Sequence, residues 1–285
     1  MDFGIHLGAL NPKGWVAAAE EADRLGFESV WLPEHVVVPL SATDSPHAGS
    51  DHPPIPSNIP VFDVFAVMGM LAARTERINL GTNVYNIGLR HPFMTARGAT
   101  TVDVFSGGRM LLGIGASWLK EEWDAIGLDF ATRGRRVDEA IDVCQQLWND
   151  EVIEHHGEFF DFGPTNFEPK PVRPGGVALH IGGDGPAAMR RAATAGAGWM
   201  PMNHSLEQMP ASIAKVKELA EAAGRTDSIE ISMSGFDVKS VADVERYAAA
   251  GITRVVSAPW TSSREAIDGM RRFADEVLEP ARALA

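Results

Sequence analysis

The feature that most constrains this chain is an alternation: a short apolar strand followed by an amphipathic helix, repeated from one end to the other. "DFGIHLG" (2–8) leads into a helical pattern near 12–25, where Trp15, Val16, Ala19, Ala22 and Leu25 recur at helical spacing. Further strands are expected at "FESVWLPE" (27–34), "INLGTNVYNI" (78–87), the run opening at 109 in "RMLLGIGASW", "VALHIGG" (177–183), "GWMPM" (198–202), "SIEISMSGF" (228–236) and "ITRVVSAPW" (252–260). Helical patterns separate them, near 61–73, 92–105, 206–222 and 241–250, with a last one after the final strand. Such alternation implies parallel strands joined by helical crossovers. Eight strands in 285 residues predict an α/β fold of the (β/α)8 TIM-barrel class, one domain over 1–285. The competing arrangement is an open doubly wound sheet, whose first turn would carry G-x-G-x-x-G; here that turn reads "GALNPKG".

Two insertions, about 36–60 and 150–176, interrupt the pattern and are expected as loops at the C-terminal face. The first, "SATDSPHAGSDHPPIPSNIP" with its flanks, is too rich in proline and polar residues for a core element and reads as a shaped excursion over a site, with His47 and His52 as lid or solvent-exposed residues. The second contains a hairpin pattern, "EVIEHHGEFFDF".

Charge and cysteine usage narrow the function. Lys plus Arg number 25 against 38 Asp plus Glu, a net charge of -13 that opposes general attraction to nucleic acid or an anionic membrane. No apolar run is long enough to span a bilayer, and the apolar start is not preceded by a basic segment, so the expectation is a cytoplasmic protein. A single cysteine, Cys144, excludes an internal disulfide and a multi-cysteine metal site; on a helix among apolar neighbours it reads as buried and inert.

Barrel enzymes build their sites at the C-terminal ends of the strands. The second strand ends in Glu34 and His35. An imidazole there can hydrogen-bond a bound ring or exchange a proton with substrate, or simply bond backbone as a loop histidine; Glu34 either orients it or pairs with a basic residue. The third strand puts Thr82 and Asn83 at the mouth, small enough to leave room for a planar ring. "HIGGDGPAAMRRAA" is a strand, a glycine turn of Gly182, Gly183, Asp184 and Gly185, then a helix with Pro186 in its first turn. This is either a phosphate cradle or a tight barrel turn, and Asp184 fits beside a phosphate only if its side chain turns away or caps the helix. No Lys-Ser or Lys-Thr pair follows, so it is not a nucleotide-triphosphate loop. His155 and His156, adjacent in an extended segment, point to opposite faces and read as a solvated hairpin rather than a metal site. Arg133, Arg135, Arg136 and Asp138 read as a charged helix face, and Arg90 and His91 as structural.

Taken in order, "GFESVWLPEHVVVP", "RINLGTNVYNIGLRHPFMTARGATTVDVFSGGRMLLGIGASWLKEEWDAIG", "RGRRVDEAIDVCQQLW", "HGEFFDFGPTNFEPKPV" and "HIGGDGPAAMRRAATAGAGW" resemble the luciferase-like flavin and deazaflavin oxidoreductase superfamily over almost the whole chain, most closely its actinobacterial and mycobacterial branch assigned to coenzyme F420. The resemblance implies a flavin-type ring across the barrel mouth, a cis peptide with a bulge at Asn83 to Val84 behind the ring, and the cofactor phosphate at Gly182, Gly183, Asp184 and Gly185. It places a polar residue at or beside His35 near the ring. Some sugar-phosphate dehydrogenases of the family use that histidine as a base, paired with a glutamate directly after the fourth-strand glycines; here that position is Ala116, which makes His35 a cofactor contact first and a proton carrier second. Ser117 and Trp118 are expected to face the site, with Trp118 and Leu119 beginning a helix over it and Trp123 anchoring that helix in the core.

The resulting expectation is an F420-dependent oxidoreductase passing a hydride between the deazaflavin ring and a small organic substrate, working as a homodimer by resemblance. Deazaflavin lacks the ring nitrogen through which flavin activates oxygen, which favours a reductase or dehydrogenase. The alternatives are an FMN-dependent monooxygenase and a non-catalytic cofactor-binding barrel. A metal-dependent hydrolase ranks last because, apart from His35, the strand ends near 8, 84, 116, 202 and 236 offer no ligand set.

Overall fold

In the computed structural model, residues 1–40 and 58–283 are described. His47, His52 and most of the 36–60 excursion therefore lie outside the described residues. The chain runs β1 (Asp2–His6), α1 (Trp15–Leu25), β2 (Ser29–Leu32), α2 (Val64–Ala72), β3 (Asn79–Thr82), β4 (Tyr85–Asn86), α3 (Pro92–Ser106) and β5 (Met110–Gly115). It continues through α4 (Lys120–Ala125), α5 (Arg133–Asn149), β6 (Val152–His156), β7 (Asp161–Asn166), β8 (Ala178–Gly182), α6 (Pro186–Ala195) and β9 (Gly198–Met200). Then follow α7 (Met209–Ala222), β10 (Glu230–Ser234), α8 (Val241–Ala249), β11 (Arg254–Ser257), α9 (Ala266–Phe273) and α10 (Glu279–Arg282).

Eight of these strands pair in parallel and close on themselves: β1 with β2, β2 with β3, β3 with β5, β5 with β8, β8 with β9, β9 with β10, β10 with β11, and β11 back to β1. This is the (β/α)8 barrel expected from the alternation. The third predicted strand is split: β3 ends at Thr82 and β4 resumes at Tyr85, with a cis Asn83–Val84 peptide between. The predicted hairpin is present as the antiparallel pair β6–β7.

Strand periodicity sorts the side chains into two cores. Phe3, Ile5, Val30, Leu32, Leu80, Leu112, Ile114, Leu179, Ile181 and Trp199 face the helices. Trp31, Leu111, Met200 and Val256 fill the barrel's interior, with Val84 and Ala178 packed on them. Below this apolar layer, at the N-terminal ends of the strands, the interior is ionic. Arg254, buried, pairs with Glu28 through Nε at 2.8 Å and with Glu230 at 2.7 Å, and donates to Ser232 Oγ at 3.0 Å. Burial alone pushes the Glu28 carboxyl up, but Arg254 and the hydroxyl and amide donors around it outweigh that and hold it below the usual carboxylate range. Bulk and ion pairs close the bottom of the barrel, while the upper end is built from glycine and small residues and is left for chemistry.

Candidate functional site

The mouth has a glycine-turn side and an imidazole side. On the glycine-turn side, β8 ends in Gly182 and the chain turns at Gly183, whose φ of 119° is one that side chains rarely tolerate. Pro186 occupies the first turn of α6, and Gly185 precedes it with no side-chain cap. The first-turn amides of α6, at Ala187 and Ala188, therefore have no side-chain cap among the described residues. Asp184 is turned away from them. Its Oδ1 accepts from the Met202 and Asn203 amides at 2.8 and 3.0 Å and from His204 Nδ1 at 2.8 Å, and its Oδ2 accepts from Asn203 Nδ2 at 2.9 Å. Burial raises this carboxyl's pKa, and these hydrogen bonds more than reverse the effect, holding it below the ordinary range. Asp184 thus pins the next loop, and its negative charge is consumed there.

Val84, following the cis bond, projects into the mouth against β5 and β8. A Cβ on either Gly115 or Gly182 would meet a Val84 methyl at 2.7 Å, so both glycines are required by the bulge. Asn83 Oδ1 is shielded from solvent and has no hydrogen-bond partner among the described residues. Thr82 does not share in this surface. It is fully buried, and its hydroxyl donates to the Gly113 carbonyl at 2.7 Å, so its assignment to a cofactor is corrected: strand alternation puts it on the same side of β3 as Leu80, toward the helices.

On the imidazole side, His35 Nδ1 lies 3.1 Å from Glu122 Oε2, and the ring meets Trp118 edge-on with centroids 6.0 Å apart. Glu122 is completely buried on α4, and its Oε1 accepts from the Val36 amide at 2.6 Å and from the Val37 amide at 3.3 Å. Both oxygens of Glu122 are engaged, Oε1 by the two amides and Oε2 by His35 Nδ1; with the proton on Nδ1, Nε2 is the ring's acceptor. Glu34 is corrected in turn. Its Oε2 accepts from the Asn86 amide at 2.9 Å and its Oε1 is bonded by Arg90, whose guanidinium also lies 4.6 Å from the Tyr85 ring centroid. Glu34 therefore fastens β2 to β4 and has no free oxygen for a cofactor.

Ala116, Ser117 and Trp118 form the half-buried link between β5 and α4. Ser117 takes a positive φ of 61° and its Oγ accepts from the Leu119 amide at 3.2 Å, which starts α4 at Lys120, two residues later than expected. Trp118 walls the site, and Trp123 is fully buried beside Phe130 in the core.

Two functional candidates escaped the sequence. Glu122 sits in "KEEWDA", where nothing local distinguishes it from Glu121. His6 closes β1 on the interior side, since Gly4 two residues earlier lies against Trp31. Its Nδ1 is sealed from solvent without a partner, its ring stands edge-on to Phe236, and burial pushes its pKa down to about 4, so it is a neutral imidazole at the floor of the mouth. Its signal was a polar residue at an inward strand position.

The remaining histidines of the hairpin face opposite ways, His155 to Glu139 at 3.2 Å and His156 to Asp161 at 2.5 Å. Among the described residues there is no group of three or more His, Cys, Asp or Glu able to hold a metal, and no helix long and apolar enough to cross a membrane.

Comparison with known proteins agrees with this geometry. The family profile described as luciferase-like monooxygenase matches residues 2–272. An uncharacterised protein of Mycobacterium tuberculosis is 31% identical over 243 residues, 85% of this chain and 83% of that one. The F420-dependent glucose-6-phosphate dehydrogenase of Amycolatopsis mediterranei is 27% identical over 281 residues, 93% of this chain and 78% of that enzyme. Among solved structures, the monooxygenase RslO1 of Streptomyces bottropensis superimposes with a TM-score of 0.77 at 23% identity, covering 98% of this chain and 99% of that one.

Proposed function

Because this chain belongs to the luciferase-like monooxygenase family, we propose that it is an F420-dependent oxidoreductase, passing a hydride between the deazaflavin ring and an organic substrate at the barrel mouth. The observation that carries the reading is the uncapped start of α6 behind Gly183, with Asp184 drawn off to the 202–204 loop: a built anion site at the end of a barrel strand. Support for F420 comes from the dehydrogenase relative, which matches across 93% of this chain.

Gly182 to Gly185 and the Ala187 and Ala188 amides would hold the phosphate, and Val84, Ala116 and Trp118 would border the ring. When bound, the deazaflavin supplies a two-electron hydride donor or acceptor with little reactivity toward oxygen. The protein's own contribution is a pocket walled by apolar groups and one oriented imidazole. His35 Nε2 is the atom placed to accept or return the proton of a substrate hydroxyl, and Glu122 fixes the tautomer that makes this possible.

The test is a fluorescence titration of the apoprotein with F420 and, separately, with FMN, on the wild type and on Gly185→Asp. Gly185 has ordinary backbone angles, φ -79° and ψ 166°, and a Cβ there meets nothing within 4 Å. The added carboxylate caps α6, leaving stability unchanged or higher by a few tenths of a kcal/mol. It also fills the anion site, so F420 affinity should drop at least tenfold. Tight F420 binding with weak FMN binding, lost in the variant, supports the proposal. Preference for FMN would turn the reaction to flavin chemistry with oxygen as co-substrate, and binding of neither would leave a barrel without this activity.

A further inference from the structure

A second hollow adjoins the mouth on the side away from the glycine turn. It is a cavity of about 150 Å³ between the loop after β1, the end of β2 and the approach to α2, lined by Leu10, Trp15, Leu32, Phe62, Val64 and Val67. Its polar lining comes from Glu34 and His35. Glu34 is paired with Arg90, and His35 Nδ1 is bonded to Glu122, so both polar groups of the lining are already engaged by other side chains of the protein. No Lys or Arg lines the cavity among the described residues, and the sequence holds none between Arg24 and Arg74, a span that includes the whole 36–60 excursion. Lys13 is the nearest cation in sequence, and it is exposed on the turn outside the lining.

A phosphorylated or carboxylated substrate carries its charge into a site only where a cation or a set of amides receives it. The amides of this mouth are on the opposite side, at α6. An apolar cavity of this volume holds a group about the size of benzene, driven by desolvation of its walls.

We propose that the substrate is an uncharged, mainly apolar molecule, whose hydrocarbon body enters the cavity beside Trp15 and Val64 while its reacting oxygen stays at His35. The proposal rests on the cofactor reading above for the position of the reaction. It separates this chain from its sugar-phosphate-oxidising relative by charge alone. Trp15 is fixed for this role: its Nε1 donates to the Leu7 and Leu10 carbonyls at 2.8 and 3.2 Å, which turns the apolar part of the indole into the cavity wall.

The experiment is calorimetric titration of the full-length apoprotein with cyclohexanone and with glucose 6-phosphate, on the wild type, on Val67→Trp and on Val61→Trp. Val67 is half-buried in the wall and Val61 lies at its exposed rim, so at least one variant keeps the fold. Cyclohexanone is expected to bind the wild type and to lose at least tenfold in affinity in the folded variants, with F420 affinity within twofold of wild type; glucose 6-phosphate is expected to give no heat. Tighter binding of glucose 6-phosphate than of cyclohexanone, or cyclohexanone binding indifferent to both tryptophans, overturns the substrate assignment and leaves the cofactor reading standing. Cyclohexanone binding that the tryptophans block, in a protein that takes neither F420 nor FMN, upholds the cavity and overturns the cofactor reading instead.

Discussion

At the residue scale the instructive pair is Glu34 and His35, neighbours with unrelated work. In an extended chain adjacent side chains point to opposite sides. His35 turns to Glu122 and Trp118, while Glu34 turns to Arg90 and the Asn86 amide. The carboxylate that does reach His35 comes from Glu122, 87 residues further on. The local reading of "EH" found the imidazole and left Glu34 either to orient it or to pair with a basic residue; the second holds, with Arg90, and the acid that does reach His35 was not legible because a partner supplied by another element leaves no mark beside the histidine. Replacing Glu122 by Gln tests the assignment: the amide keeps the shape but can donate to Nδ1, which favours the opposite tautomer and places N–H at the mouth. Steady-state turnover with F420 is expected to fall about 10- to 100-fold, with a displaced pH–rate profile and an unchanged circular dichroism spectrum. An unchanged profile would confine Glu122 to packing.

At the element scale, strands and helices were legible to within a few residues because burial imposes period 2 and period 3.6 on sequence. The third strand is the exception. One strand was expected from 78 to 87, yet pairing breaks at Asn83–Val84, where the peptide is cis; no residue pattern encodes a cis bond before a valine, and only the family resemblance pointed to it. The hairpin β6–β7 shows the converse, an element legible from its turn but attached by a contact that was not. Glu139 of α5 accepts from the Phe159 and Phe160 amides at 3.0 and 2.8 Å and from His155. Glu139→Ala should therefore loosen this hairpin by about 1–3 kcal/mol, seen as faster amide exchange over residues 152–166, while cofactor binding at the mouth is retained.

At the scale of the whole molecule, the ion pairs and the candidate site occupy opposite ends of the barrel. The ionic floor holds His180 beside Arg254; burial, reinforced by the cationic Arg254, pushes its pKa down to about 3, and burial alone pushes His6 down to about 4. Both values lie below the ordinary 6.5 of an unfolded histidine, so unfolding takes up protons as pH falls beneath it. The stability these neutral rings confer is complete above pH 6.5, declines through the interval below it, and is exhausted once the pH has dropped through the folded values. Urea unfolding at stepped pH should show a loss of about 1.4 kcal/mol per pH unit for each histidine between pH 6 and 4. His180→Gln should shallow that slope, and a slope identical to wild type would refute the role of His180.

What the sequence determined alone is the architecture and the chemistry available to it: eight alternating units cannot bury their apolar faces except in a closed or doubly wound parallel sheet, and glycines after a strand leave backbone amides open to an anion. Charge content, too, is a property of sequence, and the absence of lysine and arginine from Leu25 to Ala73 holds however that stretch folds. Tertiary structure decided which groups meet. It sent Asp184 to the neighbouring loop, Thr82 to the Gly113 carbonyl, Glu34 to Arg90 and Glu122 to His35. Periodicity encodes the face a side chain takes, but a contact between distant elements depends on strand register and helix placement in the closed barrel, which no short stretch of chain contains.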